Sequence, residues 1–307
     1  MKPKNTFLLF LAAFIWGIAF VAQSSAAEYI RPFTFNGIRC LIGGFTLIPF
    51  IIISRAKNRN SLTQGETFDI FRLFSRKELL LSLPGGIACG ICLCLGSTLQ
   101  QFGIEQTTVG KAGFITALYI VFVPIVSALF FRKKITLPVV GSVFLGLIGL
   151  FLLCIKEGFS ISTGDFYVLL CSFAFTAHIL VIDHFSVRAD GVILSCLQFF
   201  VCGLISLPFI LFLERPHPAL IWEARIPILY AGVMSCGIAY TLQIVGQKNT
   251  NPTVASLILS LESVVSVLAG WALLNQRLSL REIAGCIIMF FAILLVNVSD
   301  VFTKKKL

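Results

Sequence analysis

The chain has 307 residues, 57% of them hydrophobic and only 12% charged, and its mean hydropathy is +0.95. A soluble domain carries about one quarter charged residues, so this composition excludes one and specifies a polytopic membrane protein. The formal net charge of +10 does not point to nucleic acid, because the Lys and Arg residues fall in short loops between apolar runs, where lipid topology accounts for them.

Runs long enough to cross roughly 30 Å of hydrocarbon occur near residues 6–27, 33–54, 79–101, 109–131, 136–155, 165–184, 191–213, 225–246, 252–275 and 280–299. They predict an all-α chain of ten transmembrane helices with no soluble domain. The first run, behind Lys2 and Lys4 and ahead of Ser24-Ser25-Ala26-Ala27, has the outline of a signal peptide. It is long enough to span, and its partner in the second half is internal, so it is expected to be the first helix rather than a cleaved leader. The one long loop, Arg55 to Glu78, holds Phe68, Phe71 and Phe74 at helical spacing beside Arg72, Arg76 and Lys77, which predicts a short interfacial helix.

With the N-terminus in the cytoplasm, sixteen Lys and Arg residues fall on the inner side and seven on the outer. Both termini are therefore expected in the cytoplasm, and the chain in the cell membrane. All ten Cys lie inside apolar runs, where they act as small hydrophobes. Cys89 and Cys92 form a C-x-x-C without a thioredoxin-like context, so neither a disulfide framework, a metal nor a cofactor is called for.

The chain is internally doubled. Thr98, Leu99, Gln100, Gly103, Thr107, Ala112, Leu118 and Val121 recur without a gap 143 positions later as Thr241, Leu242, Gln243, Gly246, Thr250, Ala255, Leu261 and Val264. Nearer the start of each copy the offset is 159, with Phe14, Gly44, Pro49 and Phe50 falling on Phe173, Gly203, Pro208 and Phe209. The difference of sixteen residues is the long loop of the first copy. The expected domains are residues 1–158 and 159–307, five helices each. An odd helix number forces the second copy into the membrane from the opposite side, giving inverted repeats.

Polar residues far from helix ends are the informative ones in lipid. Glu262 lies about ten residues into the ninth run, at a depth where a charge is costly unless protonated, paired or hydrated. It reads either as a substrate or proton contact or as a structural carboxyl bonded between helices. Its counterpart at the 143 offset is Tyr119, and Gln100 corresponds to Gln243. These pairs are expected to meet across the pseudo-twofold. Ser256, Ser260 and Ser263 form a stripe on the ninth run, where interhelical hydrogen bonding is the alternative to a cavity wall. Trp16 sits mid-helix rather than in the interfacial belt and offers either a binding face or simple packing. His178 is a relay or a satisfied core histidine. Arg39 lies about six residues from the outer surface, roughly 9 Å deep, and is expected to snorkel outward in a structural role.

No G-x-x-x-x-G-K-[ST], H-E-x-x-H or G-x-S-x-G occurs, so ATP-driven and common hydrolytic chemistry have no motif, and the chain is not expected to be an enzyme. Phe14-Ile15-Trp16-Gly17, Asn36-Gly37-Ile38-Arg39, Ala112-Gly113-Phe114, Tyr119-Ile120-Val121-Phe122-Val123-Pro124-Ile125, Leu261-Glu262-Ser263-Val264 and Gly270-Trp271 follow one another in an order and spacing that resembles the drug/metabolite transporter superfamily, in particular its EamA-type members. The resemblance covers nearly all of the chain. It departs at Ser263, where the pattern usually has Pro and where a kink would be lost. It departs again at Lys133-Lys134 and Gln276-Arg277, which stand where an acidic residue commonly follows. It implies export or exchange of small metabolites, amino acids or drugs through a central cavity.

The expected activity is alternating access around one midplane cavity. Trp16, Tyr119 and Tyr240 would supply aromatic walls, Gln100 and Gln243 hydrogen bonds, Glu262 the charge, and His178 a further polar contact. The alternatives are proton-coupled antiport through Glu262 and a sensor or scaffold without flux. The expected partners are a small-molecule substrate and the lipid bilayer, with no nucleic acid. The oligomeric state stays open, a homodimer among the options.

Overall fold

Backbone N–H and C=O groups at lipid depth must be satisfied within their own segment, and a helix does this. Among the described residues of the computed structural model, which are 3–59, 76–107, 109–132, 136–154, 162–274 and 279–304, every regular element is helical. The elements are α1 (Pro3–Ala27), α2 (Pro32–Arg59), α3 (Arg76–Ile104), α4 (Val109–Thr116), α5 (Tyr119–Phe131), α6 (Leu137–Cys154) and α7 (Thr163–Phe185). They continue with α8 (Gly191–Phe209), α9 (Pro218–Glu223), α10 (Arg225–Leu229), α11 (Thr241–Gln247), α12 (Pro252–Leu259), α13 (Leu261–Leu274) and α14 (Leu280–Lys304). Wider π-helical turns extend α8 over Ile210–Glu214 and join α10 to α11 over Tyr230–Tyr240.

Among the described residues, eight helical rods are long and apolar enough to cross a membrane: α1, α2, α3, α4 with α5, α7, α8 with its π turn, α10 through α11, and α12 with α13. Where the fifth and tenth crossings were expected stand α6, whose apolar part Leu137–Leu152 is shorter, and α14; these two pack against each other. The predicted interfacial helix with Phe68, Phe71 and Phe74, and the loop residues Lys133, Lys134, Gln276 and Arg277, lie outside the described residues.

Helix ends are fixed by caps. Ser162 and Asp165 form a reciprocal capping box at the start of α7, and Asp190 accepts from the amides of Val192 and Ile193 at the start of α8. The start of α2 is capped from another element. The Glu214 carboxylate accepts from the backbone N–H of Phe33 at 2.9 Å and of Thr34 at 2.7 Å, and from Thr34 Oγ1 at 2.6 Å. An anion at a helix N-terminus satisfies orphan donors and the dipole together, and this one ties α2 to the end of α8.

Two rods are broken at positions 143 apart. Between α4 and α5 the chain tightens at Ala117 and Leu118, where Leu118 N donates to Ile115 O, Ile120 N to Ala117 O and Val121 N to Leu118 O. Between α12 and α13 the break is at Ser260, with Ser263 N donating to Ser260 O. Pro124 lies one turn beyond the first break, where it leaves the Ile120 carbonyl without its helical donor. The second was not expected, because Ser263 stands in place of Pro. It forms all the same: Ser256 and Ser260 turn their hydroxyls back onto the carbonyls of Thr253 and Leu257, at 2.9 and 2.7 Å, and compete with the helical ladder. Tyr119 and Glu262 are the first or second residues after their breaks.

α1 crosses α13 where Gly17 removes a side chain. A Cβ there would lie 2.4 Å from Val265 Cβ and 2.8 Å from the Glu262 carbonyl oxygen. The crossing brings the middle of α1 against the break before α13.

Candidate functional site: a polar cavity between the repeats

Trp16, Phe20 and Gln23 of α1, Arg39 of α2, Gln100 of α3, Thr116 and Tyr119 flanking the first break, and Phe175, His178 and Ile179 of α7 surround one cavity. Ser235, Tyr240, Gln243, Leu259 and Glu262 complete its wall. All seven residues singled out in the sequence as substrate contacts therefore line one cavity. Much of the remaining wall follows from the same offsets: Phe175 is the counterpart of Trp16, Ile179 of Phe20 and Leu259 of Thr116. Five corresponding pairs thus face one space.

The pair at the centre is joined directly. Tyr119 Oη donates to Glu262 Oε1 at 2.9 Å, and the two residues are 4% and 6% exposed. Gln100 Nε2 donates to Thr116 Oγ1 at 3.2 Å. His178 Nε2 meets Gln198 Oε1 at 2.9 Å, and the ring stands edge-on to Tyr240 with centroids 5.8 Å apart. Trp16 packs on Tyr240 with ring centroids 4.6 Å apart. Three buried polar atoms of the lining lack a hydrogen-bond partner among the described residues: Trp16 Nε1, Gln23 Oε1 and Gln243 Oε1. Buried polar groups are almost always paired, so these three are free valences of the cavity.

Arg39 corrects an expectation. It does not snorkel: it is 2% exposed and faces the cavity. Its Nε donates to Asn36 Oδ1 at 3.1 Å, and its guanidinium lies 5.2 Å from the Phe35 ring centroid. Asn36 is held in turn by Ser97 and Thr98 of α3. The rotation of α2, which its packing on α8 and the Glu214 cap fix, is not legible in the sequence. The serine stripe also stays out of the cavity wall. Ser256 and Ser260 bond to carbonyls of their own helix, and Ser263 bonds to Gly113 O at 2.9 Å.

Beyond the cavity, corresponding residues tie the bundle together at both ends, in two seals of side-chain contacts. At one end Thr107 Oγ1 donates to Asp165 Oδ1 at 2.6 Å and Lys111 Nζ pairs with Asp165 Oδ2 at 2.6 Å. There Gly103 allows α3 and α7 so close that a Cβ on it would lie 2.2 Å from Val168 Cγ2. At the other end Thr250, the counterpart of Thr107, accepts from Asn5 Nδ2 at 3.1 Å, which also donates to Lys248 O at 3.1 Å. Gly246, the counterpart of Gly103, meets Leu8 there, at 3.1 Å from a built Cβ. Gln101 of α3 reaches the Gln23 carbonyl near the far end of α1, at 3.0 Å. Asn5 and Gln23 are eighteen residues apart on α1, about 27 Å, so the two seals sit at opposite ends of the bundle. The cavity measures about 40 Å³, room for roughly two or three waters.

This cavity belongs to a transporter architecture. A model of the EamA-like transporter family matches residues 4–155 and residues 162–298. The chain belongs to the EamA-like transporter family. That is the family the motif order resembled. An uncharacterized transporter of Archaeoglobus fulgidus is 29% identical to this EamA-family chain over 289 residues, which are 94% of this chain and 84% of that one. The S-adenosylmethionine/S-adenosylhomocysteine transporter of Chlamydia muridarum is 26% identical over 148 residues, 48% of this chain and 41% of its own length. A solved crystal structure, 16% identical, superposes with a TM-score of 0.73 over 97% of this chain and 98% of that one, which shows a shared fold. Family and relatives are named as transporters, not as enzymes.

Proposed function

We propose that this EamA-family protein is a secondary transporter that exposes the cavity alternately to the two faces of the membrane, exporting or exchanging small metabolites, amino acids among them. The observation that carries this is the convergence of five corresponding residue pairs on one polar cavity, with Tyr119 and Glu262 hydrogen-bonded to each other at its centre. A site shared by two related units is equivalent when approached from either side, as alternating access requires. The two seals support the same cycle: corresponding residues close opposite ends, so undoing one while keeping the other opens the cavity to one face. Residues 1–158 and 159–307 act as the two inverted units of ten helices in all, with both termini cytoplasmic in the cell membrane. Trp16, Gln100, Tyr119, His178, Tyr240, Gln243 and Glu262 form the substrate-facing wall.

The test is counterflow in proteoliposomes loaded with a metabolite pool. Labelled substrate should accumulate transiently when the same compound is inside, with no added energy source. A broad panel that produces no protein-dependent uptake or exchange removes the proposal and favours a sensor or scaffold. A buried carboxyl at the centre also favours a second mechanism, proton-coupled antiport through Glu262. In that case Glu262→Gln abolishes flux driven by a pH gradient and keeps substrate exchange.

A further inference from the structure

A second hollow lies on the outside of the bundle, a groove between α1, α12 with α13, and α14. Phe7, Phe10 and Phe14 of α1, Leu268 of α13 and Phe290 of α14 stand on its walls, and apart from Thr6 and Cys286 every lining side chain is apolar. The groove measures about 1130 Å³. Along α1 it runs from Pro3 to Ile18, about 22 Å, which is more than one leaflet's half of the roughly 30 Å hydrocarbon core. It is separate from the polar cavity: Val265 lines the groove, Glu262 lines the cavity, and Gly17 brings α1 against both. α14 stands off because it is held by α6, where Gly149 allows an approach so close that a Cβ on it would lie 2.9 Å from Met289 N. In the first repeat the matching space is filled. Phe122 and Phe173, the counterparts of Val265 and Phe14, stack there with ring centroids 4.2 Å apart and 18° between their planes. Val265 offers Phe14 no ring, so the groove follows from a residue difference between the repeats and not from their shared topology.

We propose that this groove is a site for an anionic phospholipid, with its acyl chains laid along α1 and its headgroup between the start of α1 and the end of α14. Water would find almost no polar partners there, and apolar walls facing a void lose dispersion contacts that a hydrocarbon chain restores. Lipid tails are as apolar as leucine, so the chains alone would not distinguish this site from the surrounding bilayer. The headgroup does. Lys4 is exposed at the start of α1, and Lys248, also exposed, has its carbonyl hydrogen-bonded to Asn5 beside it. α14 follows α13 after five residues and runs back along it, with Ile293 and Ile258 in one packed cluster. From Leu294, on the groove, α14 continues ten residues to its end at Lys304, about 15 Å toward the start of α1. Lys304 comes eighteen residues after Cys286, five helical turns, so the helical repeat returns it to the same register. Lys305 and Lys306 follow in the sequence, and the last ten residues of α14 hold one acid, Asp300. Each lysine near the surface attracts an anionic lipid by about fivefold. In the topology proposed above this end meets the cytoplasmic leaflet, where anionic lipids concentrate.

The experiment is native mass spectrometry of the purified full-length protein, released from detergent after titration with phosphatidylglycerol or with phosphatidylcholine of identical chains. Phosphatidylglycerol should be retained in preference, by about fivefold for each lysine that meets its headgroup, and the preference should fall as salt rises. Lys4→Gln combined with Lys304→Gln should lower that preference about twenty-five-fold and leave the retention of phosphatidylcholine unchanged. Leu268→Trp and, separately, Ala272→Phe place a larger ring in the groove and should reduce the retention of both lipids. The melting temperature of each variant without added lipid separates a lost site from lost folding. Equal retention of the two lipids, or retention unchanged in both ring variants, overturns the assignment. A dimer that Leu268→Trp dissociates also overturns it, because the groove would then belong to a second copy of the chain. The assignment does not depend on the cavity carrying a solute: absent counterflow in liposomes would leave it standing, and absent lipid preference would leave the transport reading standing.

Discussion

Replacing Tyr119 by Phe deletes one oxygen and keeps the ring. In the wild type that oxygen donates to Glu262 Oε1 at 2.9 Å between two residues nearly sealed from solvent. A net hydrogen bond contributes about 0.5–1.5 kcal/mol between neutral partners and about 1.5–3 kcal/mol when one is charged. Hydrogen bonds inside membranes average closer to about 0.6 kcal/mol, because the unfolded chain in lipid finds other partners. The cavity beside the carboxyl has room for water, which replaces part of the lost contact. We therefore expect Tyr119→Phe to cost about 1 kcal/mol. A double-mutant cycle with Glu262→Met, followed as unfolding in mixed micelles of rising sodium dodecyl sulfate fraction, should return a coupling of about 1 kcal/mol between the two sites. A coupling below about 0.3 kcal/mol would show that the contact holds nothing together, and the central junction between the two units would have to be sought elsewhere.

The crossing of α1 and α13 predicts that Gly17→Ala destabilises by about 1–3 kcal/mol through overpacking against Val265 and the Glu262 carbonyl. Gly141→Ala, whose added Cβ would have its nearest neighbour at 3.9 Å, should be neutral or stabilising by up to about 1 kcal/mol; equal melting temperatures for the two variants would contradict this. Asp165→Asn should loosen one seal, and amide hydrogen exchange should rise over residues 103–111 and 162–168 while residues 3–8 stay protected. Asn5→Ala should do the converse around residues 246–253, and exchange spread evenly over both ends would refute independent seals. Glu214→Ala removes three hydrogen bonds at the start of α2 and should lower stability by about 1–2 kcal/mol, whereas an unchanged melting temperature would mean that the start of α2 is held by packing alone.

The doubled sequence makes most of the cavity wall legible. Once Gln100 aligned with Gln243 and Tyr119 with Glu262, the offsets placed them about a common axis, and they line a single cavity. Phe20 and Phe175 follow from the same alignment, but an apolar ring in a membrane helix is unremarkable by type. Arg39 could not be placed from sequence: a side chain about 9 Å from a helix end reaches lipid headgroups or the bundle interior according to helix rotation. The break at Ser260 was hidden for a different reason, since backbone bonding by Ser256 and Ser260 does the work that Pro does elsewhere, and serine has no fixed effect on a helix.

The two latches of the bundle are unequal in kind: one is an ion pair reinforced by close helix contact, the other two neutral hydrogen bonds from a single asparagine. In the alternating-access cycle proposed above, the weaker set of contacts would open first in a cargo-free molecule, on the asparagine side. A passive carrier cannot change where the solute distribution comes to rest. In that cycle the bias would set on which side solute is captured at lower concentration, and a symmetric fold would then carry solute faster in one direction than the other at equal and opposite gradients.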